Sequence, residues 1–262
     1  MGLKVGVVAV VCTAAWGQTS ETIRSGRPGQ SIGPYTVGDG IVQAQLGLDH
    51  STSRNQVFST ADSTLNTVVR WGVGERFEWS ALINGSQVTG GPIAADSNED
   101  QVGVSQFHLG FRSNIIDKPD GWVPGFGVQL RMKTTAVASD FRAVNAAPVA
   151  LMAFQHKLGE NLSLIHNIGA RWDGATAVPQ YLYISNLSLS LNEAWGSFIE
   201  VYGDEKGGVD RLFADFGASY LANKDLQWDI SAGGGKNQGV EDYFISIGIS
   251  WRYLPSRNPS EI

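Results

Sequence analysis

Between Ile41 and Tyr253 the chain repeats one pattern: a stretch in which large apolar side chains alternate with small or polar ones, followed by a link that is by turns short and long. The last stretch, YFISIGISWRY, puts Tyr243, Ile245, Ile247, Ile249, Trp251 and Tyr253 on one parity and Phe244, Ser246, Gly248, Ser250 and Arg252 on the other. Successive side chains of a strand point to opposite faces, so the stretch separates an apolar surrounding from a mostly small or polar one. Taken alone, one such strand suits a soluble sandwich core as well as lipid.

The links separate those two surroundings. Candidate strands cover 41–49, 65–72, 77–85, 102–112, 124–133, 149–158, 162–172, 181–191, 195–203, 212–221, 226–234 and 243–253, about twelve in all and an even number. The connections GVGER, GEN, NEA and ANKD are tight turns, with SNIIDKPDG the least compact of the short set. Longer polar links occupy 49–63, 85–101, 134–147, 173–179, 204–210 and 235–242. Short and long alternate without exception. A sandwich has no reason to collect its long loops at one end, whereas an outer-membrane barrel has short periplasmic turns and longer extracellular loops.

Face composition agrees. Phe126, Val128, Leu130 and Met132 share one parity against Gln129, Arg131 and Lys133, and Trp228 and Ile230 oppose Gln227, Asp229 and Ser231. Charges therefore collect on one face. An open sheet would leave backbone groups unpaired in hydrocarbon, so lipid on the apolar side implies closure. We read the chain as all-β, an antiparallel up-and-down transmembrane β-barrel of about 12 strands over residues 41–253. Trp71, Phe77, Trp172, Tyr181, Trp195, Tyr220, Trp251 and Tyr253 lie near strand ends, where two interfacial aromatic girdles belong.

Composition fits this architecture and excludes others. Thirty-two glycines and only 17 % charged residues suit many strands and turns better than a helical bundle. Residues 1–17 read as a cleaved signal peptide: Lys4, an apolar run from Val5 to Ala15, and the small-x-small site Ala15-Trp16-Gly17. The run is too short for a transmembrane helix. Cys12, the single cysteine, falls inside it, so an exported chain would use no disulfides. Net charge is -6 with no basic patch, which argues against nucleic acid as a partner.

Residues 18–40 are rich in Ser, Gly, Pro and Thr without periodicity and form an irregular arm. We expect the arm, with Arg24 and Arg27, to fold back into the lumen as a plug; the alternative is an unordered periplasmic tail. Residues 254–262 are a polar tail beyond the last strand. Ser246, Gly248, Trp251 and Tyr253 form a polar-x-Gly-x-x-aromatic-x-aromatic ending that resembles the insertion signal of bacterial outer-membrane barrels, although here the chain continues past the aromatic.

The arm from Arg27 to Leu48, with its Arg-Pro start and TVGDG leading into the first strand, is similar to the bacterial outer-membrane transporter-like family named for the meta-pathway of phenol degradation. So are FIEVYG (198–203), ADFGASYLANKDLQWDISAGGG (214–235) and DYFISIGISWRY (242–253). The resemblance implies an outer-membrane channel or transporter for small, hydrophobic or aromatic molecules in a Gram-negative bacterium. It does not make phenol the solute.

On the inner face, Arg70, Glu78, Arg112, Arg131, Lys133, Arg171, Glu200, Asp215, Asp229 and Arg252 are candidates to line the lumen. Their plainer role is to satisfy one another's charge and hold the barrel together. Glu200, Asp215 and Asp229, from three successive strands, would form an acidic stripe favouring cations. Two other readings remain: a barrel serving adhesion or envelope structure without transport, and an outer-membrane lipid hydrolase. For the hydrolase, His50-Ser51 is the only adjacent pair, and sequence neighbours rarely meet the geometry a nucleophile and its base require. His108, His156 and His166 sit on different strands without metal-ligand spacing. The reading is a non-enzymatic monomer with no cofactor or metal, whose partners are outer-membrane lipid, the barrel-assembly machinery and a small solute.

Overall fold

The computed structural model describes residues 20–93, 99–117 and 122–255; the expected signal peptide and most of the polar tail lie outside them. Twelve strands follow in order: β1 (Val42–Arg54), β2 (Phe58–Gly72), β3 (Phe77–Pro92), β4 (Glu99–Ile116), β5 (Gly125–Lys133), β6 (Ala147–Lys157), β7 (Leu162–Arg171), β8 (Gln180–Ser190), β9 (Trp195–Lys206), β10 (Val209–Asn223), β11 (Leu226–Asn237) and β12 (Val240–Tyr253). Each pairs antiparallel with its sequence neighbours, and β1 pairs with β12, so the sheet closes into a barrel. The seam runs from Val42 opposite Tyr253 to Arg54 opposite Glu241. No strand edge is left over, which is what a sheet surrounded by hydrocarbon requires.

Parity sorts the side chains as the sequence pattern expects. Ile247 is 52 % exposed on the outside while Ser246 and Ser250 are buried inside, and Trp228 and Ile230 point outward where Gln227 and Asp229 point inward. At the short-turn end the outward aromatics Trp79, Trp71, Tyr253, Trp251, Trp228, Tyr220 and Trp195 lie on neighbouring strands. Trp195 packs on Tyr220 with ring centroids 4.8 Å apart, and Trp79 meets Phe111 edge to face at 5.9 Å.

The strands are longer than their apolar alternation. Asp49 to Arg54 and Phe58 to Ser63, which read as loop by composition, continue β1 and β2 to a turn at residues 55–57, where Asn55 Oδ1 accepts the N–H groups of Val57 and Phe58. The links expected over 204–210 and 235–242 shrink to the two-residue turns Gly207-Gly208 and Gln238-Gly239. All four of these residues have positive φ, the conformation that the hairpin turn matching strand twist needs. Pairing needs only backbone, so the ladder goes on after the side chains stop being apolar. True loops remain on that end at 134–146 and 172–179. The first lies along β4, with the N–H of Thr134 donating to Phe107 and that of Ala138 to Val104.

Placing a charge on the outward face should cost folding free energy that depends on depth. Ile247→Arg, about halfway along β12, should destabilise the barrel by about 2–4 kcal/mol in lipid vesicles. Reversible denaturant titration of the variant against the parent measures this; a change within experimental error would mean that Ile247 does not face hydrocarbon.

Candidate functional site

Residues 20–41 do not join the sheet; they run inside the barrel. The segment starts at the short-turn end, where Ile23 N–H donates to Lys224 O and Arg252 donates to Ser20 O and Glu21 O. It climbs to Arg27–Ser31 and descends to Gly38 and Gly40 beside Gly72, where β1 begins. Without strand neighbours, its backbone groups pair with wall side chains. Glu200 accepts the N–H groups of Gln30 (2.7 Å) and Ser31 (2.9 Å). The Asn167 side chain accepts from Ile32 N–H (2.7 Å) and donates to Ile32 O (2.9 Å), as a strand neighbour would. Asn114 donates to Pro34 O, Gln227 to Arg27 O, and Glu78 accepts from Val37 N–H.

Arg27 straddles the closure seam. Its Nε donates to Asp229 Oδ1 at 3.2 Å, one terminal nitrogen donates to Ser246 Oγ at 2.6 Å, and the other lies 3.9 Å from Asp49. The guanidinium rests on two inward glycines that face each other across the seam, Gly47 of β1 and Gly248 of β12. A Cβ at either position would come within 2.0 and 2.2 Å of it. Gly127 similarly leaves room for the backbone of Pro34. Arg24 stacks over Tyr35, 4.3 Å from the ring centroid. Burial pushes the Tyr35 phenol up to about 12 against the opposing pull of Arg24, so the ring stays neutral at physiological pH.

The wall charges fall into three groups. Arg70, Glu78 and Arg112 form a buried network in which Arg70 grips Glu78 through two bonds of 2.7 and 2.8 Å, and Arg112 Nε lies 3.8 Å from the same carboxylate. Arg70 and Arg112 also donate to Tyr35 O. Glu200 and Asp229 are engaged by the arm, and Asp215, opposite Glu200 in the β9–β10 register and 4 % exposed, has no hydrogen-bond partner for either oxygen. The third group sits at the ends: Arg171 lies 3.8 Å from Asp204, which Arg211 holds bidentately, and Arg252 bonds Asp225 at 2.8 Å. Arg131 and Lys133 line the lumen without joining any of these. Trp251 and Tyr253 face outward, so the terminal-strand motif is split: its Ser and Gly contact Arg27 and its aromatics contact the surroundings.

Two cavities flank the tip of the arm. One, about 650 Å³, lies toward the long-link end and reaches Asp62, Ser105, Lys133 and Phe244; the other, about 340 Å³, lies toward the short turns and reaches Ser163, Ser190 and Gly196. Gly26, Arg27, Pro28 and Gly29 line both. Charge-based reading missed Asp49, Asn114, Asn167 and Gln227, which hold the arm. Their inward parity was visible, but the three amides were not weighed as partners for a backbone, and Asp49 was placed at the start of a long link. His50 and Ser51 point to opposite faces of β1, and His50 Nδ1 instead meets Ser63 Oγ at 3.0 Å. No cluster of metal-ligating side chains occurs among the described residues.

The sequence profile of the family described as "Putative MetA-pathway of phenol degradation" matches residues 25–253, from the arm through the last strand. The chain belongs to this family. No curated protein matches this family member by sequence. Among solved structures, it is similar to the COG4313 outer membrane channel from Pseudomonas putida F1, with 11 % identity, a TM-score of 0.68, and coverage of 87 % of this chain and 99 % of that one. It also resembles the transport unit of the autotransporter AIDA-I from Escherichia coli (8 %, TM-score 0.56, 80 % and 89 %) and the KdgM porin in complex with disordered oligogalacturonate (10 %, TM-score 0.53, 80 % and 99 %). At such identities the likeness is one of fold: the phenol-degradation family member has the barrel architecture of bacterial outer-membrane proteins.

In this family member, Glu78 is the only acid within reach of two buried arginines among the described ion pairs. Glu78→Gln should therefore cost about 3–5 kcal/mol, since it strands two buried cations and weakens the anchor of Val37. Unfolding in vesicles measures the loss; a cost below about 1 kcal/mol would show that Arg70 and Arg112 are satisfied without it.

Proposed function

We propose that the protein is an outer-membrane channel for small molecules whose lumen is closed by its own arm. The observation that carries this reading is the pair of cavities on either side of Gly26–Gly29: one lies toward each end of the barrel, and the same four arm residues stand between them. The family and the fold support a channel or transporter. The conductive path needs no chemistry; a polar wall replaces part of a solute's hydration, and the arm sets whether it passes.

The arm is suited to a movable role. Its hold depends on side-chain hydrogen bonds, with Arg27 as the contact that bridges three strands. Withdrawing it would join the two cavities. Lipid surrounds the wall, and we assign Ser246, Gly248, Trp251 and Tyr253 to recognition by the barrel-assembly machinery after export on the N-terminal signal, with a monomer as the transporting unit. We assign no catalytic step: His50 and Ser51 lie on opposite faces of one strand, too far apart in direction to act as base and nucleophile.

Two variants test the plug. Deletion of residues 18–39 should raise single-channel conductance several-fold in planar bilayers. Gly248→Ala, which drives a methyl group into the Arg27 guanidinium while leaving the ladder intact, should raise it to a lesser degree. Unchanged conductance in the deletion, with heat-modifiable migration preserved, would rule out the plug, and absent conductance in both proteins would leave a barrel that serves structure without transport.

A further inference from the structure

Two cations in the larger cavity have no hydrogen-bond or ion-pair partner among the described residues. Arg131 and Lys133, on the inward face of β5, make no hydrogen bond and no ion pair with any described residue, and Arg131 Nε is buried without an acceptor. Beside them stands His108, 9 % exposed, opposite Lys133 in the β4–β5 register, with its Nε2 also unpartnered. Arg112, 5 % exposed, lines the same cavity and keeps its Nε without a hydrogen bond. Glu78, near this group, is already committed to Arg70 and to Val37 N–H, and Asp62, which lines the cavity from β2, accepts from the Thr64 hydroxyl. Across the cavity Asp49 is occupied by Arg27.

An uncompensated cation held away from water lowers stability, so natural barrels pair such groups or use them. The neighbouring strand does not pair them: Gly110 stands opposite Arg131 in the ladder, and a Cβ there would run into Leu130 O and the Arg131 side chain, so no carboxylate is offered from that side. The unpaired charges of Arg131 and Lys133 suit an anion. Their surroundings are not those of a site for an inorganic ion. The next strand presents Val149 opposite Arg131 and Leu151 opposite Gln129 on the same inward face. Phe141, carried on the turn Ser139–Phe141 of the 134–146 loop, and Phe244 of β12 line the cavity as well. A cavity of about 650 Å³ holds a molecule of benzene-ring size with room for water.

From this juxtaposition we propose that the cavity above the arm binds a small organic carboxylate, with Arg131 and Lys133 taking the carboxylate and Phe141 and Phe244 taking its apolar body. The guanidinium fork of Arg131 matches two carboxylate oxygens, and Lys133 adds a point charge. Arg112 backs the pair electrostatically without having to touch the ligand. The inference deepens the channel reading by naming the class of solute, and it rests on that reading for its physiological sense, although binding itself does not require transport.

The test keeps the two apart. Calorimetry on the detergent-solubilised barrel with benzoate, benzamide and inorganic phosphate as probes measures the site directly. Benzoate should bind, the isosteric neutral benzamide should bind at least about tenfold more weakly, as should phosphate, and Arg131→Gln/Lys133→Gln should lose at least about tenfold in benzoate affinity. Heat-modifiable migration of the double variant checks that it is folded. Equal binding of benzamide, equal binding of phosphate, or unchanged benzoate affinity in the folded variant would each overturn the proposal. Potassium chloride conductance of the parent and of the 18–39 deletion, measured alongside, reports on the channel: absent current with intact benzoate binding would sink transport and leave the site.

Discussion

Hydrocarbon offers no hydrogen bonds, and that single fact shapes the whole molecule. Every backbone N–H and C=O of a wall facing lipid must be paired within the wall. The chain meets this with antiparallel hairpins in sequence order and one long-range seam, β1 against β12. Once the sheet is closed, parity assigns each residue to one of two surroundings. Ile245, Ile247 and Ile249 then face outward for the same reason that Ser246 and Ser250 face inward.

The same constraint recurs inside. Residues 20–41 carry a full set of backbone polar groups into the lumen with no strand beside them. Asn167, Glu200, Asn114, Gln227 and Glu78 stand in for the missing strand, each giving or taking a bond that a ladder would have supplied. Such bonds are individually modest, of the order of 1 kcal/mol net for neutral partners and more where a charge takes part. A segment held this way can be firmly placed and still detach without unravelling the barrel. Arg27 links this device to the seam, since it rests on Gly47 and Gly248 and reaches Asp49, Ser246 and Asp229.

Strand number, strand order and the inward or outward sense of each side chain were legible in the sequence because period-two alternation and the alternation of link lengths are both local. The outer ends of β1 to β4 and β9 to β12 were not, because polar residues such as Ser51 to Arg54 pair through backbone that composition does not report. Among the charges, Arg70 and Glu78 were legible as inward but not as a bonded pair anchoring the arm, since nothing in the spacing of 70 and 78 shows that Tyr35 and Val37 come between the walls. Gly47 and Gly248 illustrate the limit well. Each looks like an ordinary small residue on the inner parity, and only their register opposite one another reveals a seat for a guanidinium.

The central claim is a closed wall, dry outside and hydrated inside, whose two surroundings exchange at each step along a strand. Because the chain's single cysteine, Cys12, precedes the barrel, single-cysteine spin labels can be placed at each position from 243 to 253. Collision rates with oxygen, which concentrates in lipid, and with a polar nickel chelate, which does not, then read the environment of each label in reconstituted vesicles. The account predicts oxygen maxima at 245, 247 and 249 and minima at 246, 248 and 250. A helical period, or equal access of the polar reagent to both parities, would contradict it.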